Sequence, residues 1–193
     1  MPHTEHSAVP VNPSDVACID LINSAFTDYL GGDAAEDRVA SKEWRRWFLD
    51  RYELEPTVSS RPPIEQLVTL RRDLRRVLEK WARGEVLSAR DARVLDGRIR
   101  ASALRLRVAA TAEGLELVEE PVRRDWLWVL ASVTASAVEL MRTGDPQRLK
   151  TCTNPNCSWM FYDSTVNRSK RFCSTTPCAT LIRVRRFRED RDR

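Results

Sequence analysis

Cys152-Thr153-Asn154-Pro155-Asn156-Cys157 and Cys173-Ser174-Thr175-Thr176-Pro177-Cys178 are two cysteine pairs of equal internal spacing, separated by fifteen residues. Two such pairs on a short loop can close one four-thiolate site. Zinc prefers four soft ligands at tetrahedral corners in closed structural sites, whereas catalytic zinc keeps a position for water. Four cysteines therefore point to one structural Zn2+ held by Cys152, Cys157, Cys173 and Cys178. Asn154, Pro155 and Asn156 supply turn chemistry inside the first knuckle, and Pro177 does so inside the second. A reducing compartment favours metal over disulfides. Two disulfides remain a formal alternative, and iron in a four-cysteine site is chemically permitted.

The residues around the cysteines extend this reading. Trp159, Phe161 and Phe172 can pack against a metal core in a segment too small to bury a core of its own, so the segment is expected to need metal to fold. Past Cys178, Leu181, Val184 and Phe187 recur every three residues, which predicts a helix seated on the finger by one face. Arg183, Arg185, Arg186 and Arg188 would project elsewhere, and Arg168, Lys170 and Arg171 precede Cys173. From Arg148 to Arg193 there are eleven Lys and Arg against four Asp and Glu, a net of +7 on a chain whose total is +4. A basic tail on a mildly acidic body is the footprint of a polyanion binder, and guanidinium forks suit phosphates and guanine edges. These seven cations are the candidate nucleic-acid contacts. A solvated basic helix without a partner is the plainer alternative.

Upstream, the periodicity is helical. Residues 1–14 read as a flexible arm broken by Pro2, Pro10 and Pro13, with His3 and His6 solvated. A helix is expected from Ser14-Asp15 through Val16, Ile19, Ile22, Phe26 and Leu30, stopped by Gly31-Gly32, with Cys18 as a small core hydrophobe. Further helices follow over 41–51 (Trp44, Trp47, Phe48) and 64–83, where Arg71, Arg72, Arg75 and Arg76 lie off the apolar stripe as a salt-bridged face. Ser88 with Asp91 forms a capping box for the next helix. The period then changes to two near 104–120, around Gly114, which signals a β-hairpin with basic residues facing acidic ones. A long apolar helix over 122–142 is expected to be central, and Thr143-Gly144-Asp145-Pro146 stops it. The fold class is thus mainly α with a small hairpin: a helical body over 15–146, then a finger with a basic C-terminal helix over 147–193.

Two sequence runs resemble a known family. Arg148-Leu149-Lys150-Thr151-Cys152, then Cys157-Ser158-Trp159-Met160-Phe161-Tyr162-Asp163, then Lys170-Arg171-Phe172-Cys173-Ser174 and Cys178 are similar to the CGNR zinc finger. Asp20-Leu21-Ile22-Asn23-Ser24 and Leu70-Arg71-x2-Leu74-Arg75 resemble the ABATE domain that accompanies it. The resemblance spans nearly the whole chain and implies a bacterial, stress-related transcription regulator whose finger binds DNA. One departure stands out. The family is named for Cys-Gly-Asn-Arg at the last ligand, and this chain has Cys178-Ala179-Thr180-Leu181 followed by Ile182. Metal binding survives that change, while any base-reading role of the lost Asn and Arg does not.

Two functions compete at this level. One is a zinc-dependent DNA-binding regulator whose body dimerises or senses a small-molecule effector, a homodimer being in keeping with the two-fold symmetry of many DNA readers. The other is a zinc-stapled protein-interaction module, with Leu181, Ile182 and the tryptophans as its surface. An enzyme is not expected: there is no Gly-rich phosphate loop, nucleophile elbow or carboxylate-rich metal motif, and both histidines lie in the arm. Residues 1–15 lack the apolar stretch of a signal peptide, and no window reaches the roughly 18 apolar residues of a membrane span, so the expected location is the cytoplasm.

Overall fold

A computed structural model describes residues 14–30, 35–57 and 61–191. The chain begins with α1 (Ala17–Ile22), β1 (Ala25–Thr27) and β2 (Ala35–Asp37), then α2 (Lys42–Arg51), α3 (Ile64–Ala82) and α4 (Ala89–Ile99). The hairpin β3 (Leu104–Thr111) and β4 (Gly114–Pro121) leads into α5 (Trp126–Thr143). The finger contains β5 (Leu149–Thr151), β6 (Met160–Tyr162), a turn of π-helix at Thr175–Ala179 and α6 (Thr180–Arg191). The three strand pairs are separate and antiparallel. Residues 1–13 of the expected arm, including His3 and His6, and the glycine stop at Gly31-Gly32 lie outside the described residues.

Helix α5 is the hub, packing against α1, α3 and α4. Trp128, Val129, Leu130, Ala131, Val133, Thr134, Ala137 and Leu140 are all buried, as its nearly continuous apolar sequence requires. Helix α3 buries Leu67, Leu70, Leu74, Val77 and Leu78, a stripe at helical spacing. Its arginines are partnered off that stripe: Arg71 forks onto Asp37 at 2.7 Å, Arg75 meets Glu79 at 3.1 Å, and Arg76 reaches Asp91 at 2.8 Å. The Ser88–Asp91 capping box forms in both directions. At the end of α5 a Cβ on residue 144 would stand 2.5 Å from the Leu140 carbonyl oxygen, so Gly144 is needed for the chain to leave the helix here.

Two helices are shorter than the apolar periodicity implies. Helix α1 ends at Ile22 rather than Leu30, because Asn23 and Ser24 spend their side chains on backbone groups. The Ser24 hydroxyl donates to Leu21 O at 2.6 Å, and Asn23 bonds to a distant strand. Short polar side chains of this kind compete with the helical ladder. Helix α5 starts at Trp126, not Val122, because the Val122 N–H continues the hairpin by donating to Ala103 O and because Asp125 caps the N–H groups of Leu127 and Trp128.

The stop at Gly144 marks a change of composition, not a break in packing. Leu149 of β5 and Met160 of β6 are buried in the same core cluster as Leu70, Leu74 and Val133. The finger is therefore rooted in the body by its own β-pair. No helix among the described residues is long and apolar enough to cross a membrane.

Candidate metal centre and nucleic-acid interface

The four cysteine Sγ atoms lie within 4.8 Å of one another, and all four residues are buried. Cys157 and Cys173 approach to 3.8 Å and Cys173 and Cys178 to 3.7 Å. Sulfurs placed about 2.3 Å from a common zinc at tetrahedral corners are about 3.8 Å apart, the separation that these two pairs already have. The thiols perturb one another strongly: the hydrogen bond from Cys157 holds Cys152 far below the ordinary thiol range, while contact with Cys152 pushes Cys173 above it. A dication resolves the conflict by taking all four as thiolates. Four buried thiolates complete a tetrahedral shell, which is the donor set of a structural site. Cys18, the fifth cysteine, is buried in the body core, where desolvation pushes its thiol up to about 12. It is inert core filling.

The local sequence explains how the knuckles close. Cys157 N–H donates to Asn154 O at 2.9 Å and Cys152 N–H to Trp159 O at 2.9 Å. Asn154 is buried, and its Nδ2 donates to Cys178 Sγ at 3.6 Å and to Tyr29 O at 3.2 Å. One amide thus ties the first knuckle to the last ligand and to the body. Phe161 is buried with the cysteines, and Tyr29, Trp159 and Phe172 pack around them.

A second polar node fixes the loop before Cys173. Asp163 is fully buried and accepts Lys150 Nζ at 2.7 Å, Thr165 Oγ1 at 2.6 Å, Thr165 N at 2.9 Å and Lys170 N at 2.9 Å. Burial alone would raise its pKa, but the Lys150 ammonium and the other donors win and hold the carboxyl well below the usual range. Lys150 also donates to the carbonyls of Arg168 and Lys170. Lys150 and Asp163 therefore set the loop that presents the candidate cations.

Body and finger are joined by side chains that reach across the sequence. Asn23 Nδ2 donates to Met160 O, and Met160 N donates to Asn23 Oδ1, both at 2.8 Å and both buried. The amide copies one step of a β-ladder on the free edge of β6. Arg75 donates to Ser158 O, and the Arg38 guanidinium lies 5.7 Å from the centre of the Trp159 ring. Arg148 grips the carbonyls of Asp163 and Thr165 at 2.8 and 2.7 Å. Asp20, beside Asn23, faces the other way: it accepts Ser14 N at 2.8 Å and the Tyr52 hydroxyl at 2.6 Å, and burial raises its pKa. The only advance sign of the Asn23 and Asn154 roles is an amide within an apolar or cysteine-rich run, which marks a buried hydrogen bond without naming its partner.

The candidate nucleic-acid contacts divide into groups. Arg171, Arg183 and Arg188 are exposed. Arg168, at φ 53°, pairs with Asp145 at 2.9 Å and Gln147 at 2.6 Å, so it serves the fold of its loop as well as any ligand. Lys170 Nζ sits 5.1 Å from the Phe161 ring centre. Arg185 donates to Leu30 O at 2.7 Å and ties α6 to the body. The side chain of Arg186 lies outside those described. At 3.6 residues per turn the arginines of α6 are distributed around the helix instead of forming one stripe, and Arg183 points away from the Arg185–Arg188 side. The expectation that Leu181, Val184 and Phe187 seat α6 on the finger needs correction. Phe187 is 68% exposed and Val184 41% exposed. The first half of α6 is held instead: Leu181 and Val184 line a shallow groove with Tyr29, Leu30 and Pro177, and Arg185 reaches the Leu30 carbonyl. The groove is built from Tyr29 and Leu30 of the body together with Pro177, and Phe187 does not line it.

A helical body with a four-cysteine finger rooted in its core defines a zinc-finger protein. Residues 148–191 match the CGNR zinc finger model, and residues 15–144 match ABATE, described as "Putative stress-induced transcription regulator". The chain belongs to the ABATE family and carries its CGNR zinc finger, with one structural zinc at the four cysteines. No curated protein matches it.

Proposed function

We propose that the chain is a non-catalytic, zinc-dependent DNA-binding transcription regulator acting in the cytoplasm. The observation that carries the reading is the placement of exposed guanidiniums, at Arg171, Arg183 and Arg188, on a unit whose geometry is fixed by the metal site and which carries a net +7. Such a unit neutralises phosphates on whatever sequence it meets. Leu181 stands where the family pattern has arginine and points into an apolar groove, so backbone contact dominates over base reading. The body contributes a homodimer contact or an effector site. A cavity of about 410 Å³ between α1 and α5, lined by Val16, Tyr52, Leu54, Ser132, Ser136 and Leu140, would take a small, mainly apolar effector.

The second reading, a zinc-stapled protein-interaction module, draws on the exposed Phe187 beside the Leu181–Val184 groove. Fluorescence anisotropy with a random-sequence duplex separates the two. If about five phosphates are neutralised, log affinity falls against log salt with a slope of about −4 to −5. Replacing Arg183 and Arg188 together by alanine should flatten that slope by about 2. Chelation of zinc should abolish binding. A slope near zero, or an unchanged slope in the double variant, defeats the DNA reading.

A further inference from the structure

The β3–β4 hairpin is turned inside out. Facing residues of an antiparallel pair project to the same side. One side bears Arg105 opposite Glu120, and both Arg105 and Arg107 pair with that carboxylate at 2.7 and 3.3 Å. This polar side is the more covered one, with Ala109, Val118 and Glu120 half-buried, whereas on the other side Pro121, at the hairpin base, is half-buried. The opposite side bears Leu104, Leu106, Val108, Leu115 and Leu117, which are 54, 66, 59, 81 and 67% exposed. Among the described residues no helix packs along the hairpin. A two-stranded hairpin alone is marginal in water, and it gains stability when its apolar face is covered.

Area and charge identify what covers it. The five side chains leave on the order of 500 Å² of apolar surface, similar to the apolar part of the ~800 Å² that each partner buries in a standard interface. The edges of the hairpin are closed to a second copy. Strand β3 carries Arg105 and Arg107 and no acid, whereas β4 carries Glu116, Glu119 and Glu120 and no base. Two-fold pairing along either edge would set like charges against each other. The apolar face has Glu119 as its sole charge, beside Leu106 near the hairpin base, and the tip pairs Val108–Leu117 and Ala110–Leu115 are uncharged. An uncharged patch is self-complementary across a two-fold axis and offers nothing to a charged partner.

We propose that the chain forms a two-fold dimer in which the apolar faces of two β3–β4 hairpins pack on each other. This deepens the dimer element of the function proposed above and is independent of DNA contact, so the experiment uses no DNA. Sedimentation velocity of the full, zinc-loaded chain over roughly 1–100 µM should give twice the 22.2 kDa chain mass. Val108→Thr with Leu117→Thr keeps β-propensity while removing apolar area, and should weaken dimerisation about 100-fold with unchanged helical circular dichroism. Glu116→Gln, on the polar side of the same hairpin, should leave the dimer intact. A monomer at the highest wild-type concentration overturns the proposal, as does a threonine variant that dimerises like wild type. Equal weakening by Glu116→Gln overturns it too, because that would mark a general effect on the hairpin.

Discussion

Asn23 gives the sharpest test of how body and finger are joined. Its amide exchanges two 2.8 Å hydrogen bonds with the N–H and C=O of Met160, and both residues are buried. Asn23→Ala leaves that N–H and C=O without partners. At about 1–3 kcal/mol for each of the two unsatisfied buried groups, the loss is roughly 2–6 kcal/mol. In a chain of this size each kcal/mol lowers Tm by about 2–4 °C, so the expected drop is roughly 4–24 °C by circular dichroism. Asn23→Asp refines the test because it has the same shape. One carboxylate oxygen still accepts the Met160 N–H, but the other faces the Met160 carbonyl. Burial and that carbonyl favour the protonated form, so the folded-state pKa of the new carboxyl is raised. A raised folded pKa gives stability that is present at low pH and lost as pH rises through it. The deficit of Asn23→Asp should therefore narrow from pH 8 to pH 5.5, as the protonated oxygen becomes a donor to Met160 O. Asn23→Ala should show no such recovery. An alanine variant within about 1 °C of wild type, or an aspartate variant as stable as wild type at pH 8, would refute the clamp.

Two other outcomes follow from the same geometry. Chelating the zinc should melt the knuckles and α6 while β5 and β6 stay anchored to the body core; because α6 is 12 residues of a helical total near 76, ellipticity at 222 nm should fall by about a sixth. Loss of most of the helical signal, or none, would contradict this division. Asp91, buried under Arg76, Lys80 and the Ser88 cap, has its pKa held well below the usual range, first by the Ser88 hydroxyl. A depressed carboxylate contributes stability above its unfolded pKa of about 4 that is lost as pH falls below it. Urea midpoints should therefore drop more steeply between pH 5 and pH 3 in wild type than in Asp91→Asn, and parallel curves would count against the assignment.

What could be read from the chain was whatever is local or periodic. The cysteine spacing located the metal, because a tetrahedral site needs four sulfurs and nothing else from the rest of the fold. The stripe of α3, the Ser88–Asp91 box and the two-residue period of the hairpin are likewise fixed by neighbours within a few positions. Where α1 ends was only partly legible: Ser24 bonds locally to Leu21 O, but the partner of Asn23 is Met160, 137 residues away. Apolar periodicity continued through Phe26 and Leu30 and outvoted one asparagine. The seat of α6 was misread for a related cause: a three-residue apolar repeat reports that a face exists, not that anything reaches it.

The long-range bonds also bear on how zinc could matter to the body. Asn154 connects the last ligand, Cys178, to the Tyr29 carbonyl, and Arg185 of α6 holds the Leu30 carbonyl. Both carbonyls belong to the segment that follows β1, and the neighbouring Ser24 accepts Arg71 from the centre of α3. Metal occupancy is thereby linked to the α1–β1 corner through these hydrogen bonds and the short strand between them. The Asn23 clamp sits at the same corner and bonds to the strand that follows the first knuckle. A finger tethered by a flexible linker would leave the body indifferent to zinc. Here the ligand loops and the α1–β1 corner share donors and acceptors, so ordering one restricts the other.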